Sequence, residues 1–184
     1  MNSMSKGYYD SCGKDRRKEE EKQQCPTIVK CGCPGAVTLP IAAAVGTTFT
    51  LASLTLDTSC LCDPNTKLEF ASNIVIPVAA SGAFTVQIFK QCRNQMTPVP
   101  VGPAFTWAEV VAIASSGTFS FFICDSDSCN NDCCTYTAVA TVTTVIAGGT
   151  ISINNATLGA VSTCKSNACA ANCNRRRCHC ECDY

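Results

Sequence analysis

The chain predicts an all-β fold, a jelly-roll-like sandwich of two sheets and about eight strands. Three observations predict it. Short segments carry apolar residues at every second position, turn-forming residues separate them at near-regular intervals, and charge is scarce through the middle of the chain. The same observations set the organisation: residues 1–35 as an N-terminal connector arm, 36–164 as the sandwich core, and 165–184 as a cysteine-rich C-terminal tail.

Each strand rests on its own alternation. Phe49-Thr50-Leu51 alternates, and Leu54-Thr55-Leu56 alternates in the opposite phase. Phe84, Val86 and Ile88 interleave with Thr85 and Gln87. Phe119, Phe121 and Ile123 interleave with Thr118, Ser120 and Phe122. Tyr136 to Val145 is a Thr/Val/Ala run of period two, and Ile151 and Ile153 oppose Ser152 and Asn154. Successive side chains of a strand point to opposite faces, so each pattern describes a half-buried strand. Breakers fall at Asp63-Pro64-Asn65, Ser81-Gly82, Pro98 to Pro103, Ser115-Ser116-Gly117, Gly148-Gly149 and Asn154-Asn155. The count is eight or nine strands, with a short helical turn expected at Trp107 to Ala112, where Ala and Glu interrupt the alternation.

Charge is divided unevenly. Residues 1–24 hold 6 Lys/Arg and 5 Asp/Glu, residues 25–164 hold 4 and 7, and residues 165–184 hold 4 and 2. A surface so poor in charge is easier to understand if neighbouring molecules cover much of it. The formal net charge is zero, so nothing draws the chain to nucleic acid or to an anionic membrane. The most apolar stretch, Ile41 to Leu56, is interrupted by Gly46 and by Thr and Ser, so no membrane span is expected. The first 22 residues have no apolar core, so no secretory signal is expected; release by lysis of the producing cell or a specialised export path would bring the chain outside.

Seventeen cysteines in 184 residues place the chain in the range of disulfide scaffolds, which persist in oxidising surroundings. The number is odd, so at least one thiol stays free or bonds to another molecule. No pair is spaced C-x-x-C, which removes the usual zinc knuckle and the thioredoxin-type motif. C-x-C recurs at Cys31/Cys33, Cys60/Cys62, Cys178/Cys180 and Cys180/Cys182. On a strand two such thiols share a face and reach separate partners rather than each other. Cys124, Cys129, Cys133 and Cys134 are expected to staple the Asp125 to Asp132 loop within the domain, with vicinal Cys133 and Cys134 pointing to opposite faces. Cys12 lies out on the arm, and Cys25, Cys31 and Cys33 precede the first alternating segment. These four either lock onto a neighbouring subunit or close back on their own domain.

Little points to chemistry. His179 is the sole histidine and sits in the tail, away from any predicted element that would hold it rigid. Asp63, Asp125, Asp127 and Asp132 fall in expected loops and lack the glycine and glutamate of an EF-hand, so they read as solvated acids. No phosphate-binding, nucleophile-elbow or dinucleotide motif occurs, and an enzyme is not expected. Asn155-Ala156-Thr157 matches a glycosylation acceptor of a kind that arises often by chance. Cys178, His179, Cys180 and Cys182 are soft ligands able to hold Zn²⁺ or Cu(I). A regular tetrahedral site draws on two separated ligand pairs, so no metal and no other cofactor is expected.

Five stretches carry a family resemblance: Thr48 to Cys62 (TFTLASLTLDTSCLC), Gln87 to Arg93 (QIFKQCR), Phe119 to Cys124 (FSFFIC), Asp132 to Tyr136 (DCCTY) and Ile153 to Thr157 (INNAT). Over roughly residues 25–164 the chain resembles a cysteine-rich domain family of anaerobic spore-forming bacteria. In architecture it is similar, more distantly, to the endospore appendage (Ena) pilins. That resemblance implies subunits joined by pairing of edge strands, with connector thiols bonded to core cysteines of other subunits. Carried over, Cys25, Cys31 and Cys33 are connector thiols, Cys164 is the first acceptor, and Cys60 or Cys62 the next. The longer, charged arm and the cysteine-rich tail depart from the pattern.

The expectation is a structural, self-assembling subunit of a disulfide-cross-linked fibre on the spore surface, assembled in the mother cell from copies of itself, with other spore-surface proteins as further partners. A thiol-rich coat or metal-binding protein and a jelly-roll carbohydrate-binding adhesin are the alternatives. The adhesin needs an exposed aromatic cluster, for which only Trp107 and four tyrosines are available.

Overall fold

The computed structural model describes residues 25–61, 63–93, 95–126 and 133–165. Every regular element among them is a β-strand: β1 (Ile28–Cys31), β2 (Gly35–Leu39), β3 (Thr48–Asp57), β4 (Pro64–Ile76), β5 (Ala80–Cys92), β6 (Val99–Val111), β7 (Ser115–Asp125), β8 (Cys133–Ala147) and β9 (Ile151–Cys164). They form two antiparallel sheets. Sheet A runs β1-β9-β4-β7, with β2 also on β9, and sheet B runs β3-β8-β5-β6. From β2 to β9 the chain changes sheet at every connection except the β5–β6 hairpin. This is jelly-roll winding, as the alternation predicted.

The core lies between the sheets. Along β4, Leu68, Phe70, Ile74 and Ile76 point inward; along β5, Phe84, Val86 and Ile88 do; along β9, Ile151, Ile153 and Leu158 do. The reversal of phase read in β3 is a bulge. The pairing of β3 with β8 shifts between Thr50 and Ala52, which turns Leu51 and Ala52 both inward. A second bulge, at Asn155 of β9, has a positive φ of 52°. On its two sides β9 receives different partners, β2 up to Ala156 and β1 from Gly159 onward.

The side where β6 and β7 face each other is filled with aromatic rings. Phe105 stacks on Phe121 at 4.1 Å and Trp107 on Phe84 at 5.1 Å, while Phe119 and Phe121 meet Phe70 edge-on or tilted. On the opposite side the β1–β2 connection presses against β3. A Cβ on Gly35 would lie 2.1 Å from the Leu51 carbonyl oxygen, and one on Gly32 would lie 2.5 Å from that of Ser53. Both positions therefore demand glycine.

Three sequence expectations are corrected. The helical turn at Trp107 to Ala112 is strand up to Val111, because Phe105, Trp107 and Val111 pack on the core and set the local period at two. Pro98 to Pro103 does not end a strand, since β6 runs through Pro100 and Pro103; β6 is an edge strand, where a missing N–H is tolerated. The core begins ahead of residue 36, because β1 already pairs with β9. Residues 1–24 of the arm and 166–184 of the tail lie outside the described residues.

Candidate functional site

The described cysteines fall into two sets. In the first, Cys25 bonds Cys164, with Cα atoms 6.0 Å apart. β1 lies antiparallel to the end of β9, Ile28 opposite Ser162, so the chain ahead of β1 runs past Cys164. The resemblance implied this pairing between subunits; here it closes within one chain. Cys92 and Cys134 stand directly opposite on β5 and β8 and are bonded, with Cα atoms 4.0 Å apart. Cys60 and Cys133 each take part in a disulfide as well.

Cys92 was not singled out from the sequence. Its signal was present: it continues the inward phase of Phe84, Val86 and Ile88, just as Cys134 shares the phase of Tyr136 and Ala138. Cys133 and Cys134 are adjacent at the start of β8 and so take opposite faces of the strand, and both are buried. Cys133 opens β8 opposite Asp57 of β3, and its carbonyl oxygen accepts from the Arg93 N–H at 3.2 Å.

The second set comprises Cys31, Cys33 and Cys124, which are free and exposed. Cys31 ends β1 and Cys33 follows it, at one outer edge of sheet A; Cys124 lies on β7, at the other. Cys124 was expected to staple a local loop, but it points outward from β7 beside Phe122 instead. Cys12, Cys62, Cys129 and the tail set Cys178, His179, Cys180 and Cys182 lie outside the described residues.

The polar centre of the sandwich was not legible as such. Lys90 Nζ on β5 meets Asp125 Oδ2 on β7 at 2.7 Å, and the Tyr136 hydroxyl donates to the same oxygen at 2.7 Å. Asp125, expected to be a solvated loop acid, is 6% exposed, because it closes β7 and faces inward across from β5. Nearby, the buried hydroxyls of Thr66 and Ser162 bond each other at 2.8 Å between β4 and β9. An open groove of about 370 Å³ adjoins the ion pair, between the start of β6 and the end of β7. Thiol oxidation and strand pairing are the chemistry these residues offer. Lys90, Asp125 and Tyr136 form one buried ion-pair and hydrogen-bond cluster that spans the two sheets.

Solved structures match this chain at low similarity. A structure of the infectious bursal disease virus Gx strain matches with 13% identity and a TM-score of 0.43, over 76% of this chain and 32% of that one. A carbohydrate-binding module specific for non-crystalline cellulose matches with 13% identity and a TM-score of 0.41, over 66% of this chain and 72% of that one. A structure of carbohydrate-binding modules from the β-sandwich superfamily matches with 14% identity and a TM-score of 0.32, over 71% of this chain and 55% of that one. The chain thus spans about a third of the length of the viral protein. No curated protein sequence matches it. A family model does match, over residues 25–163, which is the whole described sandwich save its last residues, and the chain belongs to that family, the Domain of unknown function (DUF4489).

Proposed function

We propose that this protein is a non-enzymatic structural subunit. It polymerises by β-strand augmentation and is then locked by disulfides between subunits, forming a fibre outside the cell on the surface of bacterial spores. The partner is a further copy of the same chain, with other spore-surface proteins at the ends of the polymer. Assembly takes place in the mother cell, and its lysis releases the fibre on the spore surface.

One observation carries the reading: the free thiols among the described residues are all exposed and all lie at the outer edges of one sheet. A thiol in that position meets whatever adds to the edge. Two further features support it. β1, β2, β3, β6 and β7 each pair on one side only among the described strands, leaving backbone donors and acceptors for a neighbour. The sandwich between residues 25 and 164 carries only 4 basic and 7 acidic residues, too few to blunt those edges by charge. The adhesin reading gains nothing, since Trp107 stacks on Phe84 and Tyr136 is buried.

Negative-stain electron microscopy of the purified full chain under oxidising conditions tests this reading. Regular filaments are expected; dispersed particles of monomer size would overturn it.

A further inference from the structure

The two outer edges of sheet A match each other. Reading across the outer face, one row runs Cys124 on β7, Lys67 on β4, Val161 on β9 and Val29 on β1. The next row on the same face runs Phe122, Glu69, Gly159 and Cys31. Cys124 and Cys31 therefore emerge on one face, at opposite edges, displaced by a single row. Strand polarity fits too. All pairings in the sheet are antiparallel, so β1 and β7 run in opposite directions, and a second copy placed alongside sets its β1 antiparallel to β7.

We propose that sheet A continues from copy to copy through an antiparallel junction of β7 with β1, sealed by a disulfide from Cys124 to the Cys31-Gly32-Cys33 segment. This rests on the fibre reading and names its joint. A slip of two residues from level alignment sets Cys31 of one copy opposite Cys124 of the other, and an even slip keeps every side chain on its own face. Directly opposed strand residues have Cα atoms about 4.5–5.5 Å apart, within the range a disulfide spans. The fold already makes such a bond, between the opposed pair Cys92 and Cys134. The edges also carry matching apolar flanks, Phe122 beside Cys124 and Val29 beside Cys31, which are 61% and 67% exposed. A second copy would cover both. As the bond forms, the two thiols give up two electrons and two protons; a small-molecule disulfide takes them and departs as two thiols.

The test uses full-length chain in two pools, one labelled with ¹⁵N, mixed while reduced and then oxidised with oxidised glutathione. After alkylation and digestion, mass spectrometry is expected to find Cys124 joined to Cys31 or Cys33 in peptides that pair a light with a heavy half. Cys124→Ser is expected to abolish that peptide and shorten the oligomers. Mixing Cys124→Ser with a Cys31→Ser/Cys33→Ser chain is expected to restore it, each chain supplying one side. Polymer in which Cys124 remains alkylated, bonds elsewhere, or can be replaced without effect would overturn the junction and leave the fibre reading standing. Absence of any polymer from the wild-type chain would overturn both.

Discussion

Lys90 and Asp125 form an ion pair that joins the two sheets, Nζ to Oδ2 at 2.7 Å with both side chains nearly inaccessible. The Tyr136 hydroxyl completes it from β8. Lys90 lies on the strand that also carries Cys92, and Asp125 follows Cys124 directly, so this contact fixes the end of β7 from which the free thiol projects.

The first prediction concerns that pair. Asp125→Ala removes the carboxylate paired with a buried lysine and the acceptor of the Tyr136 hydroxyl bond, so it is expected to cost about 3–5 kcal/mol. Lys90→Met combined with Asp125→Ala is expected to cost less than the sum of the two single changes, because both single changes break the same contact. Urea denaturation of alkylated monomer reads both; strict additivity would show the two groups to be uncoupled.

The crossing of the β1–β2 connection over β3 gives the second. A methyl group at Gly35 would sit 2.1 Å from a backbone oxygen, which cannot rotate away as a side chain can. Gly35→Ala is expected to destabilise by about 1–3 kcal/mol, the range for overpacked sites. Thermal unfolding followed by circular dichroism checks it, with Ala at Gly117, where a Cβ meets nothing within 4 Å, as the unaffected control.

The third concerns the disulfides within the chain. Cys25–Cys164 spans 139 residues and Cys92–Cys134 spans 42. On loop-closure entropy, removing the first is expected to cost about 5 kcal/mol and the second about 4 kcal/mol. Cys25→Ser and Cys92→Ser, compared by denaturation midpoint, check the order. The first variant is further expected to loosen β1 from β9 and so weaken the proposed joint.

Packing on the aromatic side supplies the fourth. Phe84 is fully buried, with Trp107 stacked on it and Phe119 edge-on. Phe84→Ala is expected to cost about 3–5 kcal/mol. Loss of near-ultraviolet dichroism from Trp107, with strand content retained, would accompany it.

Much of this was legible beforehand, for physical reasons. Alternation is imposed by the pleat, so β5, β7, β8 and β9 could be read directly, and even the β3 bulge showed as a change of phase. β6 was harder, because prolines and a glycine that mark turns elsewhere are tolerated on an unpaired edge. β4 is hidden in the sequence by the turn-forming Asp63-Pro64-Asn65 at its start, although Leu68, Phe70, Ile74 and Ile76 keep one phase. The cysteines were legible in number and in face, but not in partner. Partner choice depends on which strands lie side by side, and that is a property of topology. Asp125 shows the same limit: a carboxylate near a loop reads as solvated until a lysine from the other sheet is placed against it.

The central claim, covalent polymerisation through edge thiols, is tested most directly by electrophoresis of the oxidised chain, boiled in detergent with and without reductant. A ladder of oligomers that collapses to monomer when thiol is added is the predicted result; a single monomer band in both lanes would contradict it.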